Sequence, residues 1–254
     1  MPKIPYRADV DGLRAVAVLS VIGFHAYPAS APGGFVGVDI FFVISGFLIS
    51  SLILSALKEG SFSFTEFCAR RVRRLFPALI VVLSATWLLG WFTLPPTEFA
   101  ALGKHTAAGA AFAANIATFS EVGYFDAPAV TKPLLHLWSL GVEEQFYIIF
   151  PTFLVLLWRW TRVRSYLILM GIASFALNIG LVWNHPAFAF YLPVTRLWEF
   201  ILGALLAWNR LEGREFNPPK HWPFATRWRD LCAATGLLLI AIAIGLTSDE
   251  SFPG

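Results

Sequence analysis

The 254-residue sequence is short of charge: Asp, Glu, Lys and Arg together make up 14% of it, against about 25% in soluble domains. So little polar surface cannot coat a water-soluble globule of this size, and that class is excluded. Cysteine is nearly absent. Cys68 and Cys232 cannot make a disulfide framework, and neither stands at metal-ligand spacing, so both read as packing residues. A phosphate loop, a dinucleotide fingerprint and a zinc motif are missing. So is the recurring apolar–polar alternation over about ten residues that marks a membrane β-barrel.

What the sequence has instead is long apolar runs. Hydrophobic residues make up 57% of the chain, and a bilayer core needs about 20 mostly apolar residues per helix. Seven segments qualify: 12–29, 35–57, 76–94, 138–158, 166–184, 192–209 and 230–247. The expected fold is all-α, a polytopic transmembrane helix bundle of about seven spans. Residues 13–24 followed by Ala29-Ser30-Ala31 have the outline of a signal peptide. Asp9, Asp11 and Pro32 argue instead for a retained first helix.

An Ala- and Gly-rich stretch, 98–119, is either an eighth span or an interfacial helix, and basic charge decides. With it non-spanning, one side of the membrane holds only Lys104, Lys132 and Arg196 of the 19 basic residues. The side with the other basic residues, Lys3, Arg159 and Lys220 among them, is then the cytoplasmic one. The N-terminus is expected in the cytoplasm and residue 254 outside. The pI near 9.0 is thereby topology and implies no nucleic-acid partner. The loop 210–229, with Asn217-Pro218-Pro219, reads as a cytoplasmic connection. The sequence stops at Ser251-Phe252-Pro253-Gly254, directly after a span, which predicts that 1–254 is a C-terminally truncated domain.

Ionisable residues inside spans are costly and usually face a cavity or a partner. Arg14 and His25 are eleven residues apart, which returns to within roughly 20° of one helix face and ~16 Å along the axis. Arg14 either snorkels to the headgroups or lines a passage; His25 reads as functional. Asp39, opening the second span, is either a helix-start acid favoured by the dipole or a carboxylate that holds the His25 tautomer. Ser45 and Gly46 allow close helix approach. Arg70, Arg71, Arg73 and Arg74 read by themselves as a membrane anchor, although Arg71 and Arg74 could grip a phosphate. His136, Ser139, Glu143 and Glu144, at the outer start of the fourth span, imply a water-accessible cavity. Arg196 and Glu199 read as a neutralising i, i+3 pair. His105, His185 and His221 read as solvated loop histidines.

On these motifs the sequence resembles the acyltransferase-3 family of membrane O-acyltransferases, whose members acetylate bacterial surface polysaccharides. The resemblance is carried by Arg14 and His25 at Arg-x10-His spacing, Phe41-Phe42-Val43-Ile44-Ser45-Gly46, Arg71 and Arg74, the run His136 to Tyr147, and Arg196-Leu197-Trp198-Glu199-Phe200. It implies an acyl-CoA donor, usually acetyl-CoA, bound from the cytoplasm. The acyl group would pass to a hydroxyl of an extracytoplasmic carbohydrate or glycolipid. His25 would be the base or acyl carrier with Asp39 and Glu143 in support, and Arg14, Arg71, Arg74 and Ser45 would hold the donor. His136, Ser139, Glu144, Arg196 and Glu199 would serve the acceptor side or the structure. No tightly bound cofactor or metal is implied, and the location would be a bacterial inner membrane. Members usually have about ten spans. Those reading Gly-Gly-Phe-Val-Gly-Val-Asp, as here from Gly33 to Asp39, often add a periplasmic esterase-like domain. The alternative from another class is a proton-coupled transporter, which would use the same buried His, Asp, Glu and Arg residues.

Overall fold

The computed structural model describes residues 6–122, 132–158, 162–214 and 227–247. Lys3, Arg159, Asn217-Pro218-Pro219, Lys220, His221 and the Ser251–Gly254 end lie outside the described residues. The described chain is helical: α1 (Ala8–Ala26), α2 (Gly37–Lys58), α3 (Phe64–Thr93), α4 (Pro96–Ala110), α5 (Ala114–Glu121), α6 (Leu137–Trp158), α7 (Val163–Val182), α8 (Pro186–Tyr191), α9 (Pro193–Leu211) and α10 (Trp228–Leu246), with a 3-10 turn at Gly34–Val36. Among the described residues there is no strand.

Six described stretches are long and apolar enough to cross a bilayer: Gly34–Lys58, Phe64–Thr93, Leu137–Trp158, Val163–Val182, Pro186–Leu211 and Trp228–Leu246. The protein is a multi-pass membrane protein. These stretches overlap six of the seven expected spans. The first expected span differs. α1 has a span's length but carries Asp9, Asp11 and Arg14 in its opening turns, and it ends at Ala26, where the Tyr27 amide donates to the Gly23 carbonyl.

Two other boundaries depart from hydropathy. α3 starts at Phe64 rather than near 76, because Ser63 caps it. The Ser63 Oγ accepts from the Glu66 amide at 3.3 Å, and Ser-x-x-Glu is the sequence form of a capping box. The arginine run is therefore helical. The stretch 98–119 is broken between α4 and α5, where Phe112 has φ 54°. Neither piece has the length of a span.

The chain forms two compact units, one built on Leu52–Trp198 and the other on Ile4–Ser51 with Glu199–Gly254. In the first, Leu79 and Leu83 of α3 share a core with Leu102, Leu134, Leu137 and Leu140. In the second, α2 meets α9 backbone to backbone. A Cβ on Gly46 would lie 2.0 Å from the Phe200 carbonyl oxygen, and one on Gly203 would lie 2.1 Å from that of Val43. Phe42 and Phe200 stack beside this crossing at 4.6 Å. Cys232, expected in the packing, is exposed because α10 buries none of its residues.

Candidate active site

The unit containing α1 holds Arg14, His25, Asp39 and Ser45. α1 buries Val10, Ala17 and Ser20. With 100° per residue, Arg14 and His25 fall together at the edge of that buried face. Arg14 is half-buried and lies 3.7 Å from Asp11. His25 is exposed, and its Nδ1 is 2.8 Å from the Val21 carbonyl oxygen. A carbonyl only accepts, so neutral His25 carries its proton on Nδ1 and its lone pair on Nε2. A main-chain oxygen thus favours this tautomer. Phe24 packs edge-on against the imidazole at 5.1 Å. Asp39 lies in the first turn of α2, and Ser45 is buried.

The other unit holds a cluster of polar contacts around Arg71. Arg71 of α3 makes a bidentate ion pair with Glu144 of α6. Its Nε donates to Oε2 at 3.2 Å, and its Nη2 donates to Oε1. The side chains are 17% and 8% exposed, so the guanidinium is engaged by protein groups. Its guanidinium lies 3.5 Å from the centre of the Tyr147 ring, and the Tyr147 hydroxyl donates to Glu143. Glu144 and Tyr147 are i, i+3 on α6, so one helix face delivers both to the guanidinium.

The arginines that sequence grouped together separate here. Arg70 pairs with Glu66 at 3.3 Å. Arg73 and Arg74 are exposed. Of the Arg-x-x-Arg pair, Arg71 is engaged by carboxylate and ring while Arg74 is exposed.

Further residues are placed as follows. His136 is exposed, and its carbonyl accepts from the Ser139 hydroxyl at 3.2 Å. Arg196 and Glu199 are 4% and 1% exposed, and the Arg196 guanidinium lies 5.7 Å from the Phe190 ring. His105, expected in solvent, is 5% exposed. α4 runs through it and buries the stripe Leu102, His105 and Gly109. Its Nε2 is 2.9 Å from Glu121, which also accepts from Lys104 at 2.7 Å and Lys132 at 3.1 Å. Burial pushes the Glu121 carboxyl up, but the Lys104 and Lys132 hydrogen bonds and the nearby His105 outweigh it and bring it to about 2. Among the described residues no group of three His, Cys, Asp or Glu side chains could hold a metal.

Sequence reasoning gave no role to Asn115, nor to Gln145 and Tyr147 within the run His136 to Tyr147. Tyr147 had a signal: it stands one turn after Glu143 in the acidic motif. Asn115 and Gln145 had none, because their amides meet only through the packing of α5 on α6. The Gln145 Nε2 donates to Asn115 Oδ1 at 2.9 Å.

Comparison with known proteins bears on what this set of residues belongs to. The model of a family described as an acyltransferase domain matches residues 7–252. Similar proteins include the peptidoglycan O-acetyltransferase OatA of Listeria monocytogenes, 36% identical over 219 residues, covering 81% of this chain and 35% of that protein. The putative peptidoglycan O-acetyltransferase YrhL of Bacillus subtilis is 36% identical over 89% of this chain and 38% of its own length. The putative membrane-bound transacylase BcsY of Komagataeibacter xylinus is 37% identical over 79% and 50%. The chain thus spans half or less of the length of these relatives. No solved structure matches it. A family match running through Arg14, His25, Arg71 and Glu144 and almost the whole chain, on a bundle of apolar helices, leads to one assignment: this chain belongs to the acyltransferase-3 family.

Proposed function

We propose that the protein is a membrane O-acetyltransferase that takes an acetyl group from cytoplasmic acetyl-CoA. The group passes to a hydroxyl of an extracytoplasmic carbohydrate across a bacterial inner membrane, with the N-terminus in the cytoplasm. The observation that carries this reading is the 2.8 Å contact of His25 Nδ1 with the Val21 carbonyl. It leaves Nε2 as the basic nitrogen on an exposed ring.

A general base must sit within hydrogen-bonding reach of the proton it takes. In the proposed step the acceptor hydroxyl oxygen attacks the thioester carbon while His25 Nε2 takes its proton. The carbon–sulfur bond then breaks, and the imidazolium returns the proton to the departing thiolate. Asp39, in the first turn of α2, is assigned to support this base. Arg14, Arg74 and Ser45 are assigned to the donor, whose phosphates suit guanidinium groups. Arg71 is assigned there too, and would exchange Glu144 for a phosphate. Glu143, bonded to Tyr147, supports that group. The relatives named for peptidoglycan favour a cell-envelope glycan as acceptor.

The test uses membranes of the full-length protein with radiolabelled acetyl-CoA and envelope glycan. The parent labels the glycan. His25→Ala, inserted to the same level, loses about 100-fold or more, the scale of a missing general base. Labelling at the parent's rate in that variant removes His25 from the mechanism. Uptake of a solute without acyl turnover would replace the enzyme by a proton-coupled transporter.

A further inference from the structure

We infer that Gln145 is a positioning residue. With Asn115 and Phe112 it sets the rotation of α6 against α3 and so holds Glu144 and Tyr147 on Arg71. The inference rests on the proposed donor role of Arg71 only for the binding arm of its test.

The amide network is complete in itself. Gln145 Nε2 donates to the Phe112 carbonyl at 2.9 Å and to Asn115 Oδ1 at 2.9 Å. Asn115 Nδ2 donates to Gln145 Oε1 at 3.4 Å and to the Tyr191 carbonyl at 3.1 Å. Each amide nitrogen carries two hydrogens, so all four are used. Asn115 is fully buried, at 0% exposure. In an apolar bundle such groups pay heavily for a lost partner, so a satisfied network tolerates few alternative arrangements. Gly141, one turn before Gln145, makes the approach possible. A Cβ there would stand 2.7 Å from Asn115 Oδ1.

The network reaches α3 through Phe112. This residue has φ 54°, in the left-handed region that disfavours any residue with a Cβ. Gln145 holds its carbonyl, and its ring packs edge-on against Phe76 of α3 at 5.9 Å. Phe76 follows Arg71 by little more than one turn. Strained backbone of this kind persists where its surroundings over-determine it, often beside functional sites.

The two faces of α6 explain why the lock matters. Gly141 and Gln145 share one face, while Glu144 and Tyr147 lie on another about 100° round. Any rotation that loosens the amides swings Glu144 and Tyr147 from the guanidinium. Side-chain tips stand roughly 5–6 Å from the axis, so a turn of about 10° moves them by about 1 Å. A misplacement of that size is enough to spoil a binding geometry.

The test has two arms in the full-length protein in membranes. In the first, Cys68 and Cys232 are replaced by serine. Nitroxide labels are placed on cysteines introduced at Val72 and Ile148, which are 46% and 55% exposed on α3 and α6. Gln145→Met, of similar volume, should shift or broaden the label separation by about 1 Å or more. An unchanged distribution overturns the inference whatever the chemistry of Arg71. In the second arm, acetyl-CoA binding should weaken about tenfold in Gln145→Met, the lower end of what outer-shell partners cost a metal site. The loss should vanish when Arg71→Met is already present, because coupled residues do not add. Additive losses overturn the positioning role, since a general packing defect would add. If Arg71→Met alone leaves acetyl-CoA binding unchanged, the donor reading of Arg71 fails and the distance arm still judges the lock. Should Gln145→Met not insert, Phe112→Asn takes its place in both arms. Asn suits the left-handed backbone and keeps the carbonyl, but it removes the ring from Phe76. The same shift is expected, and its absence overturns the inference.

Discussion

Arg71 and Glu144 grip each other bidentately seven residues into two helices, α3 and α6. Leu79 and Leu83 share one core with Leu137 and Leu140, so from the ion pair α3 reaches that core by running forward and α6 by running back. At 1.5 Å per residue the pair sits about 10 Å from each helix start. The sequence reading put Arg71 on the cytoplasmic side and Glu144 at the outer start of the fourth span. Tertiary packing brings them to one level.

Breaking that pair leaves an uncompensated buried charge. Glu144→Gln and Arg71→Gln should each destabilise the protein by about 3–5 kcal/mol. The double change Arg71→Met, Glu144→Leu should recover most of the loss. Thermal unfolding in detergent, followed by tryptophan fluorescence, reads this directly. Single variants as stable as the parent would show that the pair contributes nothing.

Arg70 and Arg74 should separate in donor binding. Arg70 is already paired with Glu66 at 3.3 Å, whereas Arg74 is exposed. Losing one charged hydrogen bond costs about 1.5–3 kcal/mol, roughly 10- to 100-fold in affinity. Arg74→Gln should weaken acetyl-CoA binding on that scale and Arg70→Gln should leave it near the parent's. Equal titration curves for all three proteins would return Arg74 to an anchoring role.

Acid sensitivity should trace to Glu121. Its carboxyl ionises at about 2 in the folded protein, against an ordinary value of 4.5. The unfolded chain therefore binds the proton more readily. The stabilisation is fully present above 4.5 and is lost as pH falls from there through about 2. Glu121→Gln should flatten this part of the curve of melting temperature against pH. Parallel curves for parent and variant would exclude the mechanism.

The helix crossing of α2 and α9 should tolerate no side chain. Alanine at Gly46 or Gly203 would put a Cβ 2.0 or 2.1 Å from a main-chain oxygen, an overpacking that costs about 1–3 kcal/mol. Gly180→Ala, with nothing within 4 Å of its Cβ, should be neutral or stabilise slightly. Melting temperatures of the three variants give the comparison, and equal shifts would refute it.

Much of this architecture could be read before any coordinates. Six apolar helices follow from run length and scarce charge, which are properties of consecutive residues. The shared face of Arg14 and His25 follows from helical periodicity alone. The early start of α3 was also readable, in Ser63 and Glu66, but hydropathy drew attention to the apolar segment after it.

The partners of the polar groups were a different matter. Arg71 and Glu144 are 73 residues apart in sequence, Asn115 and Gln145 are 30 apart, and His105 meets Glu121 across a helix break. A chain's local pattern states which residues resist burial in lipid. It carries no term for which of them will meet, because that depends on how separate helices rotate and cross. Packing alone made His105 a buried residue, brought Arg71 onto Glu144 and Tyr147, and made Phe112 the left-handed joint beside them.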